Sequence, residues 1–118
     1  MFRFVVELER RKALRIQYPF SVLTVLPGAA NGSSIVEPVS RVIRAADVIG
    51  LVPTSHAVRV LLVGAHLDQV DLVIRRIRAE IPPEVPVRVG VACFPATDAT
   101  PAALLGRADL EAGLPAAR

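Results

Sequence analysis

Residues 44–64 read Arg44-Ala45-Ala46-Asp47-Val48-Ile49-Gly50-Leu51-Val52-Pro53-Thr54-Ser55-His56-Ala57-Val58-Arg59-Val60-Leu61-Leu62-Val63-Gly64. This order fits a helix end, a short strand, a tight turn and a second strand. Two apolar runs, 48–52 and 58–63, flank a four-residue break of hairpin length at 53–56. The second run is almost wholly apolar, as expected of a strand covered on both faces. Any chemical site is expected on or beside this turn.

Upstream of the hairpin, Ser34 and Glu37 have capping-box spacing, and Pro38 is tolerated in a first helical turn. Val39, Val42, Ile43 and Ala46 supply the buried stripe of a short helix. Residues 27–33 form a loop by composition. Phe20-Ser21-Val22-Leu23-Thr24-Val25-Leu26 is a strand, central because it is so apolar. A helix is expected over 4–16, with Phe4, Leu8, Val5 and the stem of Lys12 on its packed face. Gln17-Tyr18-Pro19 ends it, because proline restricts the residue before it.

Downstream, Leu67, Val70, Ile74, Ile77 and Ile81 fall at helical spacing, and Asp71 to Arg75 is a favourable i,i+4 pair. Pro82-Pro83 stops this helix. A strand follows over 85–92. Thr100-Pro101 is an N-cap with an N1 proline, opening a short helix through Leu104, Leu105 and Ala108.

The fold class is therefore α+β, a ferredoxin-like or palm-type split βαβ unit. An N-terminal helix precedes β-α-β-β-α-β, a short C-terminal helix closes it, and the four-stranded sheet is mainly antiparallel. The helices are expected on one face and the crossovers right-handed. Strands 20–26 and 58–63 are expected as a central parallel pair. One domain spans 1–113, and 114–118 is a tail expected to fray.

At 118 residues there is room for one core. Aromatics are few, so Val, Leu, Ile and Ala must build it. No apolar run approaches the roughly 18 residues of a membrane span. The start, Met1-Phe2-Arg3-Phe4-Val5-Val6-Glu7, lacks the features of a signal peptide. Cys93 is the only cysteine, which excludes an intrachain disulfide and fits the cytoplasm, the expected location. The net charge of +3 invites nucleic acid as a partner. The arginines argue against it: most sit beside acids, as in Glu7-Leu8-Glu9-Arg10-Arg11-Lys12, with no interleaved aromatics to stack bases. RNA-binding modules of this topology display aromatics on the two central strands. Those strands carry Ser21, Leu23, Val25, Val58, Val60 and Leu62.

Order and residues together resemble the GGDEF (diguanylate cyclase) family, in degenerate form and over nearly the whole chain. Glu7-Leu8-Glu9-Arg10-Arg11, Arg15 and Tyr18-Pro19-Phe20-Ser21-Val22-Leu23 are similar to its opening arginine-rich helix and first strand. Arg44-Ala45-Ala46-Asp47 stands at its RxxD motif. Val60-Leu61-Leu62-Val63-Gly64, Val89-Gly90-Val91-Ala92 and Arg107-Ala108-Asp109 are similar to later strand and helix motifs. The departures fall on the chemistry. Pro53-Thr54-Ser55-His56-Ala57 occupies the place of Gly-Gly-Asp/Glu-Glu-Phe, give or take one residue, where glycines let a nucleotide approach the backbone. The family's metal-binding aspartate belongs near Leu26-Pro27-Gly28. Two-metal phosphoryl chemistry needs carboxylates for hard cations, and neither place has one. The family's nucleotide-contacting helix after the first strand is reduced to a short loop.

The resemblance thus implies a catalytically inactive signalling or regulatory domain, bacterial in style, with no catalytic residues, no metal site and no cofactor. It implies binding of cyclic di-GMP or a related nucleotide through Arg44 and Asp47, arginine on guanine and phosphate, aspartate on the guanine edge. Leu51 replaces a second arginine the family often has before its signature. On the residues alone, Arg44 can be a solvated helix-end residue and Asp47 a cap on the strand entry. The alternative function is a protein-interaction or dimerisation module with no nucleotide binding. Its surface is the first helix, where Phe2, Phe4, Val5, Val6 and Leu8 leave more than one side apolar, fit for a second copy or a partner protein. In the family this helix usually continues from a sensory domain; here either the chain stands alone or an upstream part is absent. His56 is read as an exposed turn residue, His66 as a residue near a helix start, and Cys93 as a small buried hydrophobe.

Overall fold

The structure, a computed structural model, describes residues 2–16, 18–28, 35–52, 55–65 and 67–114, with the side chains of all but Ile16 and Leu67. The elements run α1 (Phe2–Ile16), β1 (Phe20–Pro27), α2 (Val36–Ser40), β2 (Val48–Leu51), β3 (Val58–Val63), α3 (Leu67–Glu80), β4 (Val87–Phe94) and α4 (Pro101–Glu111). This is the expected order of helices and strands. One sheet of order β2-β3-β1-β4 holds all four strands.

Two expectations of topology are corrected. The central strands β1 and β3 are antiparallel, with Phe20 opposite Val63 and Val25 opposite Val58. Each crossover joins two parallel strands but leaves a gap that the other central strand fills in the opposite sense. Every neighbouring pair is therefore antiparallel. Nor do the helices share one face. Leu23, Val25, Val58, Val60 and Leu62 pack with Val39 of α2 and Val70 and Ile77 of α3. Phe20, Val22 and Leu61 pack with Phe2 and Val6 of α1 and Leu104 and Ala108 of α4. The period-2 alternation of strand side chains thus feeds two cores, one on each face. Residues 20–25 are buried throughout, as their unbroken apolar run implies.

α1 is rotated from its expected setting. Phe2, Val6, Glu9 and Ala13 form the packed face. Phe4 and Leu8, expected inside, lie on the opposite side, 62% and 42% exposed. A buried acid at the third place of the stripe concealed its true phase. Glu9 is satisfied there by the Tyr18 hydroxyl and by Lys12, 3.2 Å away. Burial, then the contact with Glu9, pushes the Tyr18 phenol up to about 12.

α2 is shorter than expected. Val39 is buried, Val42 and Ile43 are half-buried beyond the helix end, and Ala46 is exposed. Ile35 occupies the N-cap without a side-chain hydrogen bond; Ser34 lies outside the described residues. Asp71 and Arg75 form no ion pair among the described residues: packing fixes α3, and this exposed pair contributes nothing to it. α4 begins as expected, the Thr100 hydroxyl accepting from the Ala103 amide with Pro101 following. α4 lies so close to β4 that a Cβ on Gly90 would run into the Ala108 carbonyl. Leu114, expected to fray, is buried, and its amide bonds to the Asp109 carbonyl 2.9 Å away.

The outer edge of β4 is covered by side chains. Arg78 donates to the Val87 carbonyl, Glu111 accepts from the Val91 amide, and the Thr97 hydroxyl both accepts from and donates to the backbone of Cys93. No helix among the described residues is long and apolar enough to cross a membrane.

Candidate functional site

The loop between α2 and β2 is shaped by Asp47. Its backbone amide bonds to the Arg44 carbonyl at 3.0 Å, and its Oδ2 accepts from the Arg44 amide at 2.9 Å. Oδ1 accepts from the Val63 amide at 3.0 Å. Both oxygens are therefore held by backbone donors, and the side chain is 2% exposed. A short acid turning back on its own backbone is a local alternative to helix, which is why α2 stops early. Arg44 lies beside it with its side chain 70% exposed, its Nε 3.8 Å from Asp47 Oδ2 and its Nη2 donating to the Val63 carbonyl at 2.9 Å. The structure brings the two predicted ligand residues together, but only Arg44 faces solvent.

Beside them runs a cleft of about 210 Å³ between this loop and α3, lined by Arg44, Asp47, Gln69, Leu72, Val73 and Arg76 among others. Arg76 also lines this cleft, a placement that the resemblance does not imply. It follows Gln69, Leu72 and Val73 at helical spacing, so those four share a face of α3, and that periodicity is the signal that places it. The cleft thus carries two guanidinium groups over a partly apolar wall.

The hairpin turn lies at the other end of β2. His56 is exposed with φ of 58°, and Ala57 is fully buried. The Val52 amide closes the turn on the Ala57 carbonyl at 2.9 Å. Pro53 and Thr54, like His66, lie outside the described residues. Beyond the end of β1, the Gly28 amide bonds to the Pro86 carbonyl at 2.7 Å, and a Cβ there would run into the Pro86 ring. Cys93 is buried, its sulfur 2.8 Å from the Ser21 hydroxyl, which is also bonded to the Ala65 carbonyl. Burial pushes the thiol up, and the Ser21 contact only partly opposes this.

The strand order, the two crossovers and the flanking α1 and α4 find their match among solved structures. The chain has the fold of a GGDEF domain. The GGDEF domain of TpbB (or YfiN) from Pseudomonas aeruginosa superposes with a TM-score of 0.82 at 19% identity, over 95% of this chain and 79% of that one. A DGC protein from Thermotoga maritima gives 0.76 at 12% identity, over 88% and 86%. The diguanylate cyclase SiaD from Pseudomonas aeruginosa, solved with its activator SiaC, gives 0.77 at 16%, over 94% of this chain and 51% of SiaD. No protein-family model and no curated protein matches the sequence. Within this GGDEF fold, Asp109 of the Arg107-Ala108-Asp109 motif is buried, while Arg107 is at the surface, paired with Asp98.

Proposed function

We propose that this chain is a regulatory GGDEF-fold domain that does not cyclise GTP and that takes a cyclic dinucleotide, such as cyclic di-GMP, at the Arg44–Arg76 cleft. The carrying observation is the pairing of two arginines on one cleft. Planar guanidinium groups suit phosphate oxygens and guanine edges. Asp47 has a different role in this reading from the one the resemblance implies. It holds the loop that presents Arg44 and does not itself contact the ligand. The cleft is smaller than the ~300–1,000 Å³ of ordinary ligand pockets, so much of the nucleotide rests on the outer surface of α3.

The absence of cyclase activity is supported by donor chemistry. Around the end of β1 stand Leu26, Pro27 and Gly28, and the turn sequence offers a threonine and a serine hydroxyl and an imidazole but no carboxylate. That set does not fit a pair of hard divalent cations. Calorimetric titration with cyclic di-GMP tests the binding half: heat with the unchanged chain, lost in Arg44→Ala and Arg76→Ala, is expected. No heat with the unchanged chain overturns it. GTP turnover with magnesium or manganese overturns the other half.

A second reading rests on α1. Phe4 and Leu8 stand four residues apart on the side opposite the packed face, and both are exposed. Such a stripe suits a partner protein or a second copy. Light scattering on the unchanged chain and on Phe4→Asp tests it, and a monomer in both counts against it.

A further inference from the structure

On the opposite face of the sheet from the Arg44 cleft lies a second one, of about 460 Å³, between the start of α1, β3 and α4. Its floor is a fixed polar cluster. Arg59 of β3 reaches Asp109 of α4 through Nε at 3.2 Å and Nη2 at 2.5 Å. The Thr24 hydroxyl donates to the same carboxylate at 2.6 Å. Asp109 is thereby fully engaged, while Arg59 retains Nη1 without a partner among the described residues and a side chain 22% exposed. Arg3 lines the same cleft, exposed, with no ion pair among the described residues. The remaining wall is apolar: Leu105, Leu114 and Leu110, the last 71% exposed.

We infer that this cleft is a binding site for a small organic anion with an apolar body, such as a medium-chain carboxylate. Two cations, one of them held in place by Thr24 and Asp109, face a single leucine-lined space. Charge complementarity selects the anionic end, since Asp109 cancels only one of the two guanidinium charges. The leucines select an apolar remainder, because a fully hydrated anion would leave Leu110 as exposed as before. A prebuilt arginine loses less freedom when it binds than a free one would.

Octanoate is a suitable probe, followed by amide chemical shifts in two-dimensional NMR. Titration to about 10 mM, which reaches Kd values in the millimolar range, is expected to move amides of residues 102–114 and 59 in a saturable way. Arg3→Ala should weaken binding about threefold, the size of one exposed charge contact. Leu110→Asp should abolish it. Arg75→Ala, exposed on α3 across the sheet, should leave it unchanged. Inorganic phosphate at the same concentration should bind much more weakly. No saturable shift, equal binding of phosphate, or binding indifferent to both Arg3→Ala and Leu110→Asp overturns the inference. Because Arg3 and Leu110 are exposed, these variants test the site without disturbing the core.

Discussion

Asp47 grips the end of β3 through the amide of Val63, 3.0 Å from its Oδ1. This contact ties the α2–β2 loop to β3, the strand next to edge strand β2. Its consequence is a division of labour between two residues that the sequence motif presents as equals. Removing the acid should cost stability, and removing Arg44, exposed and held by one carbonyl, should not.

Asp47→Ala leaves the amides of Arg44 and Val63 without their acceptor. A loss of about 1–3 kcal/mol is expected, and Arg44→Ala should fall within about 0.5 kcal/mol of the parent. Urea unfolding of the two variants checks the contrast. Equal losses would show that the carboxylate is not the latch.

Two glycines should respond with opposite signs. Gly90→Ala forces a Cβ into the Ala108 carbonyl, backbone against backbone. A loss of at least about 1–3 kcal/mol is expected from such overpacking. Gly106 has open space around it within α4, so Gly106→Ala should gain about 0.5–1 kcal/mol from helix propensity. Thermal melts of both variants read the difference.

Tyr18 is the only tyrosine, so its phenolate absorbance can be followed without overlap. The transition is expected near pH 12, displaced from the ordinary 10.0, because burial and Glu9 both oppose the anion. The sign for stability follows. The folded state holds the proton more tightly than the unfolded one, so the contribution is complete below pH 10 and is lost as pH rises towards about 12. Tyr18→Phe should lack that alkaline loss.

Asp109 and Arg59 should be strongly coupled. Asp109→Ala leaves a partly buried guanidinium without its acceptor, for an expected cost of about 3 kcal/mol. Adding Arg59→Met should recover part of it, so the double variant is more stable than the sum of the singles predicts. Strict additivity in a double-mutant cycle would show that the pair is only a surface contact.

The sequence carried the order of elements because each obeys a local period. Val70, Ile77 and Ile81 are buried as their helical spacing demands, and 58–63 is as covered as its apolar run implies. The faults lie where long-range packing decides. The phase of α1 turns on Glu9, whose burial depends on Tyr18, nine residues away. The sense of the central strand pair follows from how two crossovers interleave, and no local pattern records it. At the site, Arg44 and Asp47 were legible as neighbours. Their unequal exposure was not, because it depends on the amide of Val63. Arg76 belongs to the same cleft only because α3 packs beside that loop.

The dressing of β4 bears on how this molecule behaves when crowded. A bare sheet margin recruits passing chains, and a row of stacked copies can grow from it. Here Arg78, Glu111 and Thr97 occupy the backbone groups such a visitor would seek. Polymerisation by strand exchange is thereby discouraged on that flank, and the opposite flank, β2, offers a visitor only four residues.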